Sequence, residues 1–297
     1  MFDFRLKVFQ TVAKRLNFTK AAAELYITQP AVTKHIHELE NYFKTKLFER
    51  KGSQIKLTPA GEILLQHTEQ IFSVYRNLEF EMSNFSKKYK GRLWVGASTT
   101  VAQYVLPPVL AAFHLKFPEV KVSLTTNNTE QIETALKKSE IDLGIIEGQK
   151  KNPSIKYSEF IKDEIVLIAS NKNPFFKKGM IQLKELKTVP LLLREPGSGT
   201  LEVVSHSLKQ YGIKIKELNI EMQLASTESM KSYLLHSNCL AFVSVYSVLN
   251  GLKQNEFRII DIKGLDIERY FYFIQLQGES ESLTTIFMNF CRHYNFR

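Results

Sequence analysis

Apolar residues recur at helical spacing in three short runs within the first forty-five positions. Over about residues 4 to 16, Phe4, Val8, Phe9, Val12 and Leu16 share one face. A second run, about 19 to 26, offers Ala21, Ala22 and Ala23 for close packing. The third begins at Gln29. At 100° per residue, Val32, Ile36, Leu39 and Phe43 form a narrow stripe, with Pro30, Lys34, His37 and Asn41 opposite and Thr33 on the flank. Thr28 is suited to N-capping, and Gln29 and Pro30 to a first turn, where a missing N–H costs little. Helices joined by so short a turn predict a helix-turn-helix. The period then shifts: residues 47–50 and 55–57 flank Lys51-Gly52-Ser53-Gln54, predicting a strand-turn-strand wing that carries Arg50, Lys51 and Lys56.

Thr58-Pro59 repeats the cap signature and opens a long helix toward Tyr89. Within it Leu64, Thr68, Ile71, Tyr75, Leu78, Met82 and Phe85 alternate four and three apart, the spacing of a coiled-coil seam. No apolar partner helix precedes the next domain, which favours self-association. The polar run 86–91 ends in Gly91 and makes a boundary.

Strands and helices then alternate. Strands are expected at RLWVGAS, VKVSLTT, IDLGIIE, EIVLIAS, VPLLLRE, LNIEMQLA, CLAFVS, FRIIDI and RYFYFIQLQ. Helices are expected over about 101–117, 129–138, 200–212 and 227–236, then a short one to 249 and a closing one over 281–294. Such alternation implies a largely parallel sheet covered on both faces. Two sets with a late return strand imply two α/β subdomains, with crossovers near Lys162 and Ile267.

Charge changes the picture at the N-terminus. Residues 1–90 hold 15 Lys/Arg against 9 Asp/Glu, while 91–297 hold 25 against 21. A basic N-terminal segment points to a polyanionic partner. The outer face of the third helix carries donors and a cation and no acid, the chemistry that base edges and phosphates require.

The run AAAELYITQPAVTKHIHELE, followed by LFERKGSQIKLTPAG, closely resembles the N-terminal domain of LysR-type transcriptional regulators. The match is dense over residues 4–61, and a looser likeness covers the rest. Thr33 stands where the family often has Ser, and Lys34 where it often has Arg. Lys cannot make the bidentate fork that Arg makes to guanine. The resemblance implies an α/β multidomain chain. Residues 1–58 would form a winged helix-turn-helix DNA-binding domain and 59–90 a dimerising linker helix. Residues 91–297 would form a two-subdomain effector domain like the periplasmic solute-binding proteins, with subdomain I at about 91–162 and 268–297 and subdomain II at about 163–267. Expected partners are double-stranded promoter DNA, a small-molecule effector and a second copy, as a dimer or dimer of dimers; RNA polymerase is a further candidate. DNA contacts are expected from Thr28, Gln29, Pro30, Thr33, Lys34, His37 and Arg50.

In open α/β sheets, ligands sit beyond the carboxyl ends of strands, against helix N-termini. Ser98-Thr99-Thr100 ends the first strand, and Ser198-Gly199-Thr200 opens a helix in the second set. Their hydroxyls and free N–H groups suit a small anion held from two sides. Plain N-capping competes with this reading at each segment alone. Family members use hydroxyls at both places, which the resemblance carries to Ser98, Thr100, Ser198 and Thr200. Glu147, ending IDLGIIE, is expected either to receive an ammonium group of the effector or to turn away. Ser226 and Thr227 are second-rank candidates. REPGSGT looks like the branch that senses sulfur- or carbon-assimilation metabolites.

No histidine pair has metal spacing, no GxSxG elbow is present, and the PGSGT loop lacks the Lys-Ser/Thr ending of a nucleotide-binding loop. Neither catalytic nor metal-binding residues nor a cofactor are expected. The N-terminus lacks a signal-peptide core, and no apolar run reaches membrane-spanning length. A cytoplasmic protein is therefore expected, with Cys239 and Cys291 as buried thiols. Two other readings are a transport-type solute-binding protein, which needs no winged helix, and a ligand-blind architectural DNA protein, which needs no cleft.

Overall fold

The computed structural model describes residues 3–51, 54–84, 89–148, 151–174, 179–277 and 283–296. The chain divides into two compact units, 1–85 with 138–140, and 86–137 with 141–297.

The first unit holds α1 (Phe4–Arg15), α2 (Phe18–Leu25), α3 (Gln29–Phe43), the hairpin β1 (Phe48–Lys51) and β2 (Gln54–Leu57), and α4 (Pro59–Asn84). Each short helix starts on a side-chain cap: Asp3, Asn17 and Thr28 accept from the N–H groups of Arg5, Lys20 and Ala31. Each ends on a non-glycine residue in the left-handed region, Leu16, Tyr26 and Lys44, at φ of 46°, 55° and 52°. A left-handed L-residue costs roughly 1–2 kcal/mol, so tertiary packing rather than a glycine stops these helices. Val8, Phe9, Val12, Ala21, Ala22, Val32, Ile36, Leu39 and Leu47 make the core. Phe4, Leu16 and Phe43, expected on core faces, lie at helix ends beyond it and are 44–45% exposed. Phe4 instead stands edge-on to His35, with ring centroids 5.6 Å apart.

The long helix divides along its length. Ala60, Leu64 and Leu65 pack on this core, and Thr68, Glu69 and Phe72 are buried. Glu69 pairs with Lys14 at 2.8 Å, and the Lys7 ammonium lies 5.6 Å from the Phe72 ring centroid. Leu64 and Thr68 therefore turn into their own unit rather than along a free seam. Ile71, Val74, Leu78 and Met82 remain exposed, while Phe85 lies outside the described residues.

The second unit contains β3 (Gly91–Ser98), α5 (Leu106–Lys116), β4 (Val120–Asn127), α6 (Thr129–Lys137), β5 (Leu143–Glu147), β6 (Ile155–Ser170) and β7 (Met180–Ile181). It continues with β8 (Leu191–Arg194), α7 (Gly199–Gln210), β9 (Ile220–Leu224), α8 (Thr227–Leu234), β10 (Leu240–Ser244) and α9 (Val245–Lys253). It closes with β11 (Phe257–Ile259), β12 (Asp261–Ile262), β13 (Ile267–Leu276) and α10 (Leu283–Arg292). The main sheet runs β4-β3-β5-β13-β6-β10-β8-β9, with β11 also on β6. β4-β3-β5 and β10-β8-β9 are parallel sets. Between them, β6 and β13 pair antiparallel with each other and with β10 and β5. The sheet is thus parallel at its flanks and antiparallel in the middle, where two long strands carry the chain from one lobe to the other. One apolar cluster around Leu191, Val203 and Phe242 fills the second lobe on one face of the sheet. A second, around Met230 and Val248, fills the other face.

The helix expected from Val101 is preceded by a wide turn, Val101–Val105, before α5 begins. Pro107 and Pro108 have no N–H to give to carbonyls four residues earlier, so regular helix cannot run through that point. Among the described residues, no helix is long and apolar enough to cross a membrane, and no cluster of acid, His and Cys side chains could hold a metal ion. Cys239 and Cys291 are free and buried, and burial pushes their thiols up to about 11 and about 12. They are held as neutral thiols.

Candidate DNA-recognition surface and ligand cleft

The packing of α3 fixes which side chains it presents. With Val32, Ile36 and Leu39 buried, Gln29, Pro30, Lys34 and His37 are exposed and Thr33 is half-buried. Thr28 stays at the cap, its hydroxyl 3.4 Å from the Ala31 N–H. Gln29 Nε2 donates to Thr33 Oγ1 at 3.0 Å, and that hydroxyl donates to the Gln29 carbonyl at 3.1 Å. The two polar side chains thus brace one another at the start of α3. They border a groove of about 410 Å³ between α2, α3 and the hairpin, lined also by Thr19, His37, Lys46 and Ile55. Arg50 lies on β1 opposite Ile55; its side chain is outside the described residues.

Sequence reasoning missed Glu40, which lies three residues after His37 and lines this groove together with Glu49. It is buried, accepts from the Leu47 N–H at 3.0 Å and pairs with Lys46 at 2.6 Å. Its carboxylate also lies 3.4 Å from His37 Nδ1. Burial alone would raise the Glu40 carboxyl, but Lys46 and the Leu47 N–H outweigh it and hold it below its ordinary 4.5. Glu40 ties α3 to the start of the wing.

In the second unit, the ends of β3, β5 and β8 and the start of α7 converge, as strand ends and helix starts do at an α/β cleft. Ser98, Thr99, Thr100, Ser198, Thr200 and Thr227 are all buried. Glu147 does not turn away: its carboxylate sits among these hydroxyls, 2% exposed. Ser98 Oγ donates to one carboxylate oxygen. Thr200 Oγ1 donates to the other at 3.3 Å. Thr129 Oγ1 holds the Glu147 carbonyl at 2.8 Å. Gly199 lies so close that a Cβ there would be 2.1 Å from the Glu147 carbonyl oxygen. Only glycine lets α7 seat on the end of β5.

Two arginines complete the cleft, and neither was anticipated. Arg269, on β13, donates to Asp163 at 2.7 Å and to Thr200 at 2.9 Å, and lies 3.5 Å from Glu147. Ser244 donates to the other oxygen of Asp163 at 2.7 Å. Burial raises the Asp163 carboxyl, and this outweighs the opposing pull of Arg269 and Ser244. Arg194, at the end of β8, reaches Thr99 at 3.4 Å, Thr227 at 3.3 Å and the Ala225 carbonyl at 3.2 Å. It also pairs with Glu195 at 2.9 Å. For Arg194 the available signal was a lone arginine ending an otherwise apolar strand, because buried charges require partners; β13 also carries Glu268 and Gln275 and offered no such signal for Arg269.

Plain capping accounts for few of these hydroxyls. Ser226 does cap α8, accepting from the Ser229 N–H at 3.4 Å. Ser198 and Thr100 stand at cap positions without a side-chain cap bond. Ser198 Oγ and Arg269 Nη2 are buried without a hydrogen-bond partner among the described residues. The two lobes also meet directly: Tyr104 hydrogen-bonds Glu228, and the Glu130 N–H donates to the Gly197 carbonyl at 3.2 Å.

A winged helix-turn-helix with a donor-bearing helix, together with a two-lobed α/β cleft domain, makes the architecture of a DNA-binding transcription regulator with an effector domain. Residues 4–62 match the model of the bacterial regulatory helix-turn-helix protein, lysR family. Residues 86–295 match the LysR substrate binding domain. The chain belongs to the LysR family of transcriptional regulators. It is 31% identical over 269 residues to the HTH-type transcriptional regulator CysL of Bacillus subtilis, covering 91% of this chain and 89% of that protein. The Synechocystis CcmR regulatory domain, solved in complex with 2-PG, is 27% identical with a TM-score of 0.62, covering 68% of this chain and 95% of that one. Full-length CbnR, solved with its target DNA, has a TM-score of 0.69 at 23% identity, covering 98% of this chain and 99% of that one.

Proposed function

We propose that this regulator reads promoter DNA through α3 and is switched by a small anionic metabolite held between Ser98-Thr99-Thr100 and Ser198-Gly199-Thr200, with Glu147 among these hydroxyls and Thr227 beside them. The observation that carries the cleft half is that hydroxyls from both lobes converge on one carboxylate beside a buried guanidinium. That arrangement recognises an acid group. CcmR with 2-PG and CbnR with DNA are relatives in fold whose partners fit the same division of labour. On this reading 1–58 binds DNA, 59–90 joins two cytoplasmic copies, and 91–297 senses the metabolite and carries no catalytic step.

The DNA half has its own test, in competition footprinting and salt titration. Gln29→Ala or Thr33→Ala should cost about 1–3 kcal/mol on the cognate site and little on random DNA. Arg50→Ala should weaken both alike and lower the salt dependence. Unchanged footprint and affinity in the Gln29 and Thr33 variants would refute this assignment of α3.

A further inference from the structure

We propose that Glu147 is a tethered anion: its carboxylate keeps the place of the effector's acid group, so the cleft is self-occupied until an effector displaces it. The inference rests on the reading of the cleft as an acid-binding site and names how that site is regulated.

The geometry resembles a bound ligand more than a structural ion pair. Glu147 ends β5 in one lobe, yet Thr200, one of its two hydroxyl partners, belongs to α7 in the other. Its carboxylate meets the start of that helix through Thr200, and Gly199 leaves room for the Glu147 carbonyl and Cγ. Arg269 is not its dedicated partner, because Asp163 holds that guanidinium at 2.7 Å against 3.5 Å for Glu147. Two carboxylates therefore share one arginine, all of them less than 5% exposed. Meanwhile Ser198 Oγ and Arg269 Nη2 have no acceptor among the described residues. Glu147 spends only part of the donor set, and a free acid with more oxygens could use more of it.

Charge explains why exchange is the route. Adding an anion beside Glu147 and Asp163 would place a third negative group around one guanidinium in a buried site. Swapping the effector's acid for the Glu147 carboxylate leaves the local count unchanged. Ser198 also lines a groove of about 1050 Å³ between α6 and α7, with Thr129, Lys151, Leu201, Glu202 and His206 around it. This groove therefore reaches the residue whose hydroxyl has no acceptor among the described residues. Because Glu147 bridges the lobes, displacing it alters how they are held, which gives the effector a differential hold on two states of the domain.

Chemical rescue tests this on the full-length chain. Glu147→Ala deletes a fragment the size of acetate. Sodium acetate should therefore raise the thermal unfolding midpoint of Glu147→Ala above its value in sodium chloride of equal ionic strength, increasing with the logarithm of concentration. Wild type and Glu147→Gln, whose side chains fill the position, should have the same midpoint in both salts. If Glu147→Ala does not fold in chloride, refolding in acetate but not in chloride is the same positive result. Acetate that leaves Glu147→Ala unmoved, or that stabilises wild type equally, overturns the tether. Failure of the effector reading is a separate outcome, read from the metabolite response of Thr100 and Ser198 variants, and it would leave the acetate result standing.

Discussion

At Glu40, one buried side chain fixes the geometry between α3 and the wing. Its carboxyl is held below the ordinary 4.5 by Lys46 and the Leu47 N–H, which outweigh its burial. A lowered folded-state pKa means that its contribution is complete above the unfolded value and is lost as pH falls through the folded one. Acid unfolding of the first unit, followed by circular dichroism, should therefore include a loss below about pH 4.5 that flattens in Glu40→Gln. An unchanged acid limb in that variant would remove Glu40 from this role. The polar face of α3 was legible because its period is regular and its cap is strong. Glu40 was not, since its role depends on a contact seven residues ahead that no local pattern encodes. In the cleft, the hydroxyls could be placed from strand ends and helix starts. Arg194 and Arg269 could not, because their partners lie 33 and 106 positions away in sequence, at Thr227 and Asp163.

At the scale of elements, α4 serves two purposes in succession. Its first half completes the core of the DNA-binding unit, and its second half exposes Ile71, Val74, Leu78 and Met82 on one side. An exposed apolar stripe of that length on a helix calls for a partner, and a second copy of the same helix is the partner proposed. Ile71→Asp combined with Leu78→Asp should break the dimer, as read by sedimentation, and abolish specific DNA binding with it. Each half-site alone would then bind weakly. An unchanged oligomer would remove the stripe as the interface. The 3.5-residue spacing placed Leu64 and Thr68 on the expected seam, whereas both turn into the core of their own unit, because periodicity cannot separate a helix packed on its own core from one packed on a copy. The same limit hid the first part of β6. Residues 155–163, IKYSEFIKD, mix charged and apolar side chains without a regular period, and become strand through pairing with β13.

The whole molecule carries, in one chain, a proposed DNA-reading surface and a cleft in which hydroxyls from both lobes converge on one carboxylate. The α/β alternation made the two lobes readable in the sequence; the antiparallel middle of the sheet followed only from the long pairing of β6 with β13. The most direct measurement is operator affinity of the full chain, with and without the metabolite that raises its thermal midpoint. It should be made for wild type and for Thr100→Val combined with Ser198→Ala. Loss of such hydrogen bonds, each worth about 1 kcal/mol, should shift the effector concentration needed for the DNA response upward by about tenfold or more. Effector-free DNA binding should stay close to wild type. A metabolite response that survives unchanged in the double variant would contradict the account.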